Sequence, residues 1–315
     1  MLLLEQMLVL FLIICVGYYC YKRGIITEEV NSKLSAIVVN IANPALILSG
    51  GMVEERIQGE ELLLMAVLTV AVYLSLILLG AFLPQLLGVE KKSRGAYRAM
   101  TVFGNIGFMG FPIISAVYGQ GALLYATPFI IALNVLIYTY GISVMRVKSA
   151  EKNVGEISSG GKDSEMIDMI KKIFNVGVIA SIITFAIYLS GIRVPAFVEK
   201  TASLLGGMTA PVSMMIIGAS LAATNLKSLF LDRRMMLFVL FRLLAVPIVG
   251  MALICHFVDN ETIRGVCLVM LAAPVASMTT MLARQYDGNY ELTAKGVALS
   301  TVLSVITMPL IQMLF

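Results

Sequence analysis

Charged residues are scarce in this chain: only 13% of its 315 residues are Asp, Glu, Lys or Arg, against roughly 25% in an average soluble domain. In their place, 59% of the residues are hydrophobic and the mean hydropathy is +0.93. A soluble domain has no core large enough to bury that much apolar surface, so the composition predicts an integral membrane protein surrounded by lipid. The net charge is only +4 and the basic residues lie between apolar segments, which excludes nucleic acid as an expected partner.

Side chains that usually hold metals or carry out acid-base chemistry are also few. There is one histidine, and the four cysteines lack a Cys-x-x-Cys spacing, so we expect no metal site, no disulfide framework and no cofactor. All 19 Asp and Glu residues fall in loops or at predicted helix ends. A proton-relay antiporter or an intramembrane aspartyl protease would place a carboxylate near the bilayer centre. The sequence therefore predicts that the protein is not an enzyme.

A window of about 20 residues, the length of one bilayer crossing, finds ten apolar segments and so predicts an all-α membrane protein with ten transmembrane helices. These spans 1 to 10 lie near residues 4–22, 32–50, 60–83, 95–118, 121–145, 170–190, 200–223, 235–258, 263–285 and 291–314. Segment 146–169 is polar instead, with too few apolar residues to pack a domain. The predicted organisation is a five-helix half at 1–145, a linker at 146–169 and a second five-helix half at 170–315.

Basic residues are distributed unevenly between alternate loops. Of the 23 Lys and Arg residues, 18 follow spans 1, 3, 5, 7 and 9, another 4 lie in the other loops, and Arg242 lies within span 8. Positive charge collects on the cytoplasmic side of multi-pass proteins. We therefore predict a plasma (inner) membrane protein with its linker in the cytoplasm and both termini outside.

Span 4 contains a stretch that disfavours a helix, Gly104-Asn105-Ile106-Gly107-Phe108-Met109-Gly110-Phe111-Pro112. Pro112 has no N–H for the carbonyl four residues back, and the three glycines lower the cost of leaving helical dihedrals. Unwound backbone at membrane depth must pack against protein or line a cavity. We therefore predict that span 4 breaks here and that the break forms part of a binding site.

Equivalent irregularities occur in the second half of the chain. Span 9 contains Ala273-Pro274, while Pro211 of span 7 follows Pro44 of span 2 by 167 residues. Arg264-Gly265 likewise follows Arg94-Gly95 by 170 residues. An odd number of spans per half inserts the second copy upside down. The pattern therefore predicts a 5+5 inverted repeat, as in secondary transporters, with spans 4 and 9 broken.

Three motifs carry a resemblance to a known family: Asn43-Pro44-Ala45, the stretch from Gly104 to Pro112, and Ala273-Pro274 followed by Ala283-Arg284-Gln285-Tyr286. With them the chain resembles the auxin efflux carrier family, which contains bacterial permeases and the plant PIN-FORMED auxin transporters. The resemblance implies a scaffold domain and a transport domain, with spans 4 and 9 crossing near their prolines to form the site. It also implies organic anions as substrates, such as dicarboxylates in bacteria and indole acetate in plants. Since the linker is short and nothing marks an indole site, auxin itself is not expected.

The candidate site residues lie at these irregularities. We expect the substrate to be bound by Asn105, Gly104, Gly107, Pro112, Asn43, Ala273, Pro274 and Ser277. Thr279 and Thr280 would hold a sodium ion if one is coupled, and Pro44, Gly110 and Pro211 would be structural break residues. A structural alternative stays open for the hydroxyls and for Asn43, because polar side chains in membrane helices often only bond a nearby carbonyl.

Arg242 stands out because an arginine within a span costs at least about 2.5–3.5 kcal/mol on insertion scales. One explanation is a functional role inside the membrane. The other follows from Arg234, which lies eight residues earlier, or about 12 Å of helix rise. We favour this second explanation, in which Arg242 snorkels toward the cytoplasm or contacts carbonyl groups of another helix.

These observations predict a secondary carrier of small organic anions, chiefly carboxylates, that works by alternating access. No charged residue falls within either break. We therefore expect the anion to be held by Asn105 and by the partial positive charge of a half-helix that begins at Phe111-Pro112. A channel and a carrier-like membrane sensor are the alternatives, although the polar residues form local clusters and not the continuous stripe of a channel. The identity of the anion, the coupling ion and the oligomeric state, including a homodimer, stay open.

Overall fold

The computed structural model describes residues 2–52, 59–145, 173–192, 194–223, 232–286 and 288–315, so the predicted linker at 146–169 lies outside the described residues. Within these ranges the regular elements are all helical. The longer helices are α1 (Leu2–Lys22), α2 (Glu28–Gly51), α3 (Gly59–Leu86), α4 (Arg94–Val102), α5 (Ile106–Tyr118), α6 (Gln120–Met145), α7 (Val176–Ser190), α8 (Ala196–Ala223), α9 (Arg233–Phe257), α10 (Glu261–Ala272), α11 (Met278–Gln285) and α12 (Tyr290–Gln312).

Among the described residues, six helices are long and apolar enough to cross a bilayer, namely α2, α3, α6, α8, α9 and α12. Helices α1, α5 and α7 contain shorter apolar stretches. Predicted span 4 corresponds to α4 and α5 together, and predicted span 9 to α10 and α11 together. The all-helical membrane fold is thus as expected, whereas the ten-span inverted repeat stays a prediction.

Polar side chains determine where several of these helices begin. The side-chain oxygens of Asn175, Asp232, Asn260 and Asn289 each accept a hydrogen bond from a backbone N–H three residues further along. Such N-caps satisfy amide groups that have no partner within the helix. The caps fix the starts of α7, α9, α10 and α12, and hence the position of each residue further along.

Three helices accommodate a proline by a wide π-turn. The turns are Val38–Ala42, Ile106–Gly110 and Phe241–Ala245, and they precede Pro44, Pro112 and Pro247. In each case the residue before the proline donates its N–H to the carbonyl five residues back. The wider turn removes the conflict between the proline ring and the carbonyl four residues back.

The helices therefore continue through these prolines. The predicted breaks at Pro44, Gly110 and Pro112 are wrong, because a π-turn absorbs the missing hydrogen bond without interrupting the helix. Helix α8 is irregular at Met208, about one turn before Pro211.

Glycines allow very close contacts between α1 and α8 and between α2 and α7. A Cβ atom on Gly218 would stand 2.7 Å from the backbone nitrogen of Tyr18, and one on Gly51 would stand 2.6 Å from Cγ2 of Thr184. Thr184 also donates its hydroxyl to the carbonyl of Ile47 at 3.1 Å. Small residues at crossing points are typical of helices packed within a membrane.

The remaining helices pack around the interrupted spans 4 and 9. Helix α3 lies against α4 and α6, and α12 lies against α9, α10 and α11. Two apolar clusters fill the interior: Phe103 and Ala276 belong to the larger one, and Val275 to the smaller one. The two interruptions therefore lie where these clusters meet.

Candidate functional site

Two short non-helical segments interrupt predicted spans 4 and 9. Helix α4 ends at Val102 and α5 begins at Ile106, while α10 ends at Ala272 and α11 begins at Met278. Each interruption leaves backbone N–H and C=O groups without partners in their own helix. In a membrane protein these groups need other partners within the structure.

The interruptions cross and supply partners to one another. Gly104 and Val275 lie opposite each other in an isolated antiparallel β-bridge. The N–H of Asn105 donates to the carbonyl of Pro274 at 2.7 Å, and the N–H of Ala276 donates to the carbonyl of Phe103 at 2.9 Å. The structure thus brings together four of the predicted site residues, Gly104, Asn105, Ala273 and Pro274, and all four are buried.

A third helix completes this arrangement. The hydroxyl oxygen of Ser300, in α12, accepts a hydrogen bond from the N–H of Val275 at 3.0 Å and donates to the carbonyl of Val297 at 3.0 Å. Ser300 is not recognisable from the sequence, because α12 contains many hydroxyl residues and their order along the chain does not show which one meets the crossing.

Two asparagines lie at the start of α5. Asn105 is 5% exposed, and its side-chain oxygen caps the helix by accepting from the N–H of Phe108 at 3.4 Å. Asn43 is 8% exposed, and its Nδ2 lies 3.3 Å from the position that a Cβ on Gly107 would occupy. Its Oδ1 is buried and has no hydrogen-bond partner. A buried polar atom of this kind is available to bind a ligand, an ion or a water molecule.

The remaining predicted substrate-binding residues are Pro112 and Ser277. Pro112 is buried in the second turn of α5, one turn beyond the start of that helix at Ile106. The half-helix therefore begins near Asn105 and not at Phe111-Pro112 as expected. Ser277 is exposed.

The two threonines proposed for a cation differ from each other. Thr279 donates its hydroxyl to the carbonyl of Ala276 at 2.7 Å, which is the structural alternative weighed above. The hydroxyl of Thr280 is buried without a partner.

Arg242 reaches the crossing from α9. It is 1% exposed; its Nε donates to the carbonyl of Thr101 at 2.9 Å, and its Nη1 donates to the carbonyl of Leu271 at 2.6 Å. Thr101 and Leu271 lie in the last turns of α4 and α10, where carbonyl groups have no helical partner. One guanidinium group therefore joins the ends of both helices. The expected contact with carbonyl groups is confirmed, and snorkelling is wrong because the side chain is buried.

A positive charge thus lies beside the crossing, contrary to the expectation that only helix ends and Asn105 would act there. The ion pairs among the described residues are Lys33–Glu29, Lys92–Glu90 and Arg264–Asp259. None of them involves Arg242. Its charge is balanced by backbone carbonyls and not by a carboxylate within the described part of the chain.

A cavity of about 600 Å³ opens where α4, α9 and α12 begin, with Lys92, Tyr97, Arg234 and Asn289 in its wall. The crossing lies eight to ten residues further along each of these helices, or roughly 12–15 Å. Apolar side chains fill the space between; they include Met100, Phe238, Leu243 and Leu299. The crossing is therefore sealed from this cavity.

A second, much smaller cavity of about 20 Å³ lies beside α5, where Met109 and Ser304 face residues of α1 and α8. It is too small for an organic anion.

Comparison with known proteins identifies the family. The model of a family described as membrane transport protein matches residues 2–312. The chain belongs to this family. The match covers the whole chain and confirms the resemblance to the auxin efflux carriers.

Relatives of similar length support the same conclusion. An uncharacterized transporter of Methanocaldococcus jannaschii is 24% identical over 98% of this chain and 97% of its own length. The uncharacterized transporter YfdV of Escherichia coli is 23% identical over 97% of this chain and 95% of its own length. The family is described as one of membrane transport proteins and the relatives are named as transporters, so the chain is a multi-pass membrane transporter.

Proposed function

We propose that this protein is a secondary carrier of small organic anions, chiefly carboxylates, and that the substrate binds at the crossing of spans 4 and 9. The observation that carries the proposal is the crossing itself: two interrupted helices exchange backbone hydrogen bonds in the buried interior of a transporter. Interrupted helices of this kind form the substrate sites of many carriers, with the positive end of a half-helix directed at the anion.

The start of α5 is the part of the crossing best suited to a carboxylate. Its first N–H groups carry partial positive charge. The amide groups of Asn105 and Asn43 lie beside this turn, and an amide NH₂ donates readily to a carboxylate oxygen. In this proposal Gly104, Gly107, Ala273 and Pro274 shape the site through their backbone, whereas Pro112 supports the helix from behind.

The closed geometry favours a carrier over a channel. A buried crossing that apolar side chains separate from the 600 Å³ cavity offers no continuous path for an ion from that cavity. Exchange with either side then requires movement of helices, which is the defining property of alternating access. A sodium ion coupled to this movement has Thr280 as its best hydroxyl ligand, since its oxygen is buried and free.

Asn43 provides a direct test of the site. We expect Asn43→Ala to abolish uptake of radiolabelled carboxylates into proteoliposomes, while its melting temperature without substrate stays close to wild type. The matched control is Asn40→Ala, one turn earlier in α2, where an exposed amide only donates to the carbonyl of Ala36. Uptake that survives in Asn43→Ala and in Asn105→Ala would place the substrate elsewhere.

The orientation is tested separately. We propose a plasma (inner) membrane protein with both termini outside, on the basis of the basic residues in alternate loops. In a variant without its four native cysteines, single cysteines at the exposed positions Glu90 and Phe315 should be labelled from opposite sides of the membrane. Labelling of both from the cytoplasm would contradict this orientation.

A further inference from the structure

The crossing brings four helix ends together, two of each sign. Helices α4 and α10 end there, and α5 and α11 begin there. A helix carries roughly half a negative charge at its C-terminus and half a positive charge at its N-terminus. These four partial charges sum to about zero, so a bare crossing has no preference for anions over cations.

Arg242 changes this balance. Its guanidinium group donates to carbonyls in the last turns of both α4 and α10, at 2.9 Å and 2.6 Å. Those are the two negative ends. A full positive charge in contact with both ends offsets about half a negative charge from each. The partial positive charges at the starts of α5 and α11 are then no longer offset by negative ones.

We infer that Arg242 is the residue that makes the crossing selective for anions: it neutralises the carbonyl ends of α4 and α10, so that the starts of α5 and α11 determine the sign of the substrate. The inference rests on the proposed function, because it concerns the same site and explains why its substrate carries negative charge.

Arg242 acts as a positioning residue and not as a direct ligand. It is 1% exposed, and its remaining nitrogen, Nη2, lies 3.5 Å from the point that a Cβ on Gly104 would occupy. Gly104, whose backbone pairs with Val275, thus lies next to the guanidinium group. The effect of Arg242 reaches the site through the electric field and through the position of the two helix ends.

Selectivity for charge is the measurement that separates this role from a merely structural one. Purified protein would be melted with succinate and with its neutral isostere succinamide, and the ratio of the two affinities would be taken from the shifts in melting temperature. We expect Arg242→Lys, which keeps the charge, to stay within about threefold of the wild-type ratio. Arg242→Gln should lower the ratio at least tenfold, because at an effective dielectric constant near 20 a unit charge roughly 10 Å away changes the affinity by about 16-fold for each negative charge of the anion.

Arg264→Gln is the matched control. Arg264 also donates to helix-terminal carbonyls, those of Val258 and Cys255 at the end of α9, but it lies in a different part of the fold. Its loss should leave the ratio unchanged.

A second pair of variants leaves Arg242 and its contacts in place, in case Arg242→Gln does not fold. A Cβ atom at Gly104 would meet only ordinary van der Waals contacts, with Nη2 of Arg242 among them. Gly104→Asp places a carboxylate next to the guanidinium group, and Gly104→Asn places an isosteric neutral amide there. We expect the aspartate variant to lose the preference for succinate and the asparagine variant to keep it.

The outcomes distinguish the two proposals. If succinate stabilises wild type and both Arg242→Gln and Gly104→Asp keep the wild-type ratio, the inference about Arg242 is overturned and the proposed function stands. If no carboxylate in a panel of mono- and dicarboxylates stabilises or is transported by wild type, the proposed function is overturned and the inference with it.

Discussion

Ser300 contributes one hydrogen bond to the crossing, and Ser300→Ala removes this bond. The hydroxyl oxygen of Ser300 is the acceptor for the N–H of Val275, at 3.0 Å, and Val275 is fully buried. Alanine leaves this N–H without an acceptor in a place that water does not reach. The substitution otherwise deletes one oxygen atom and makes only a minor cavity.

The expected effect follows from the cost of an unsatisfied buried amide. A buried donor left without a partner costs about 1–3 kcal/mol. For domains of 150–250 residues, 1 kcal/mol corresponds to about 2–4 °C in melting temperature, and the larger size of this protein reduces the shift. We therefore expect Ser300→Ala to melt roughly 2–6 °C below wild type.

Ser304→Ala is the matched control, because Ser304 lies one turn later in the same helix and is equally buried. Its hydroxyl donates to the carbonyl of Thr301 at 2.9 Å, and a helical carbonyl loses little when such a bond is removed. Melting is followed, in a background without Cys15, Cys20 and Cys255, with a dye that fluoresces on reaction with a thiol, since the remaining Cys267 is buried in the folded protein. Equal melting temperatures for the two variants would refute the reasoning, because the N–H of Val275 would then have another acceptor.

Two further predictions concern the packing of α1 against α8 and the hydrogen bonds of Glu61. Gly218→Ala should lower the melting temperature by several degrees, because its Cβ would stand 2.7 Å from the backbone nitrogen of Tyr18. Gly207→Ala, with open space around it, should have little effect. A larger loss of melting temperature in Gly207→Ala than in Gly218→Ala would be inconsistent with the α1–α8 contact. Glu61→Gln should destabilise the protein by about 1–3 kcal/mol, since the carboxylate of Glu61 accepts hydrogen bonds from Tyr125 at 2.5 Å and from Asn260 at 2.8 Å. Glu60→Gln, at an exposed position, is the control. Equal stability of the two variants in a thermal melt would show that the hydrogen bonds of Glu61 contribute nothing.

Much of the fold was accessible from the sequence because hydropathy and charge are local properties. The apolar segments predicted the helices, and glycines with proline predicted that spans 4 and 9 are interrupted. The half-helix after the first interruption was expected to begin at Phe111-Pro112, however, whereas α5 begins at Ile106. A proline can be absorbed by a π-turn, and the sequence alone does not show whether a helix will widen, as it does before Pro112, or end.

The residues that meet at the crossing were predicted in part, and those that were missed share one cause. Gly104, Asn105, Ala273 and Pro274 were found because the signal lies in adjacent residues. Arg242 binds carbonyls 141 and 29 residues away along the chain. Such a partner is determined by how helices pack, and backbone carbonyls occur at every residue. Arg242 is recognisable as unusual from the sequence, but the two helix ends that it joins are not.

The proline lies at a different place relative to the interruption in each half of the chain, and this matters when equivalent residues of the two halves are assigned. Pro274 lies within its interruption, where only its carbonyl is needed, as the acceptor for Asn105; Pro112 lies a turn beyond its own. The two prolines are separated by 162 residues, whereas the bridged pair, Gly104 and Val275, is separated by 171. The second value agrees with the separation of 170 between Arg94-Gly95 and Arg264-Gly265. If the two halves are a repeat, the bridged residues Gly104 and Val275 therefore lie closer to equivalent positions than the two prolines do.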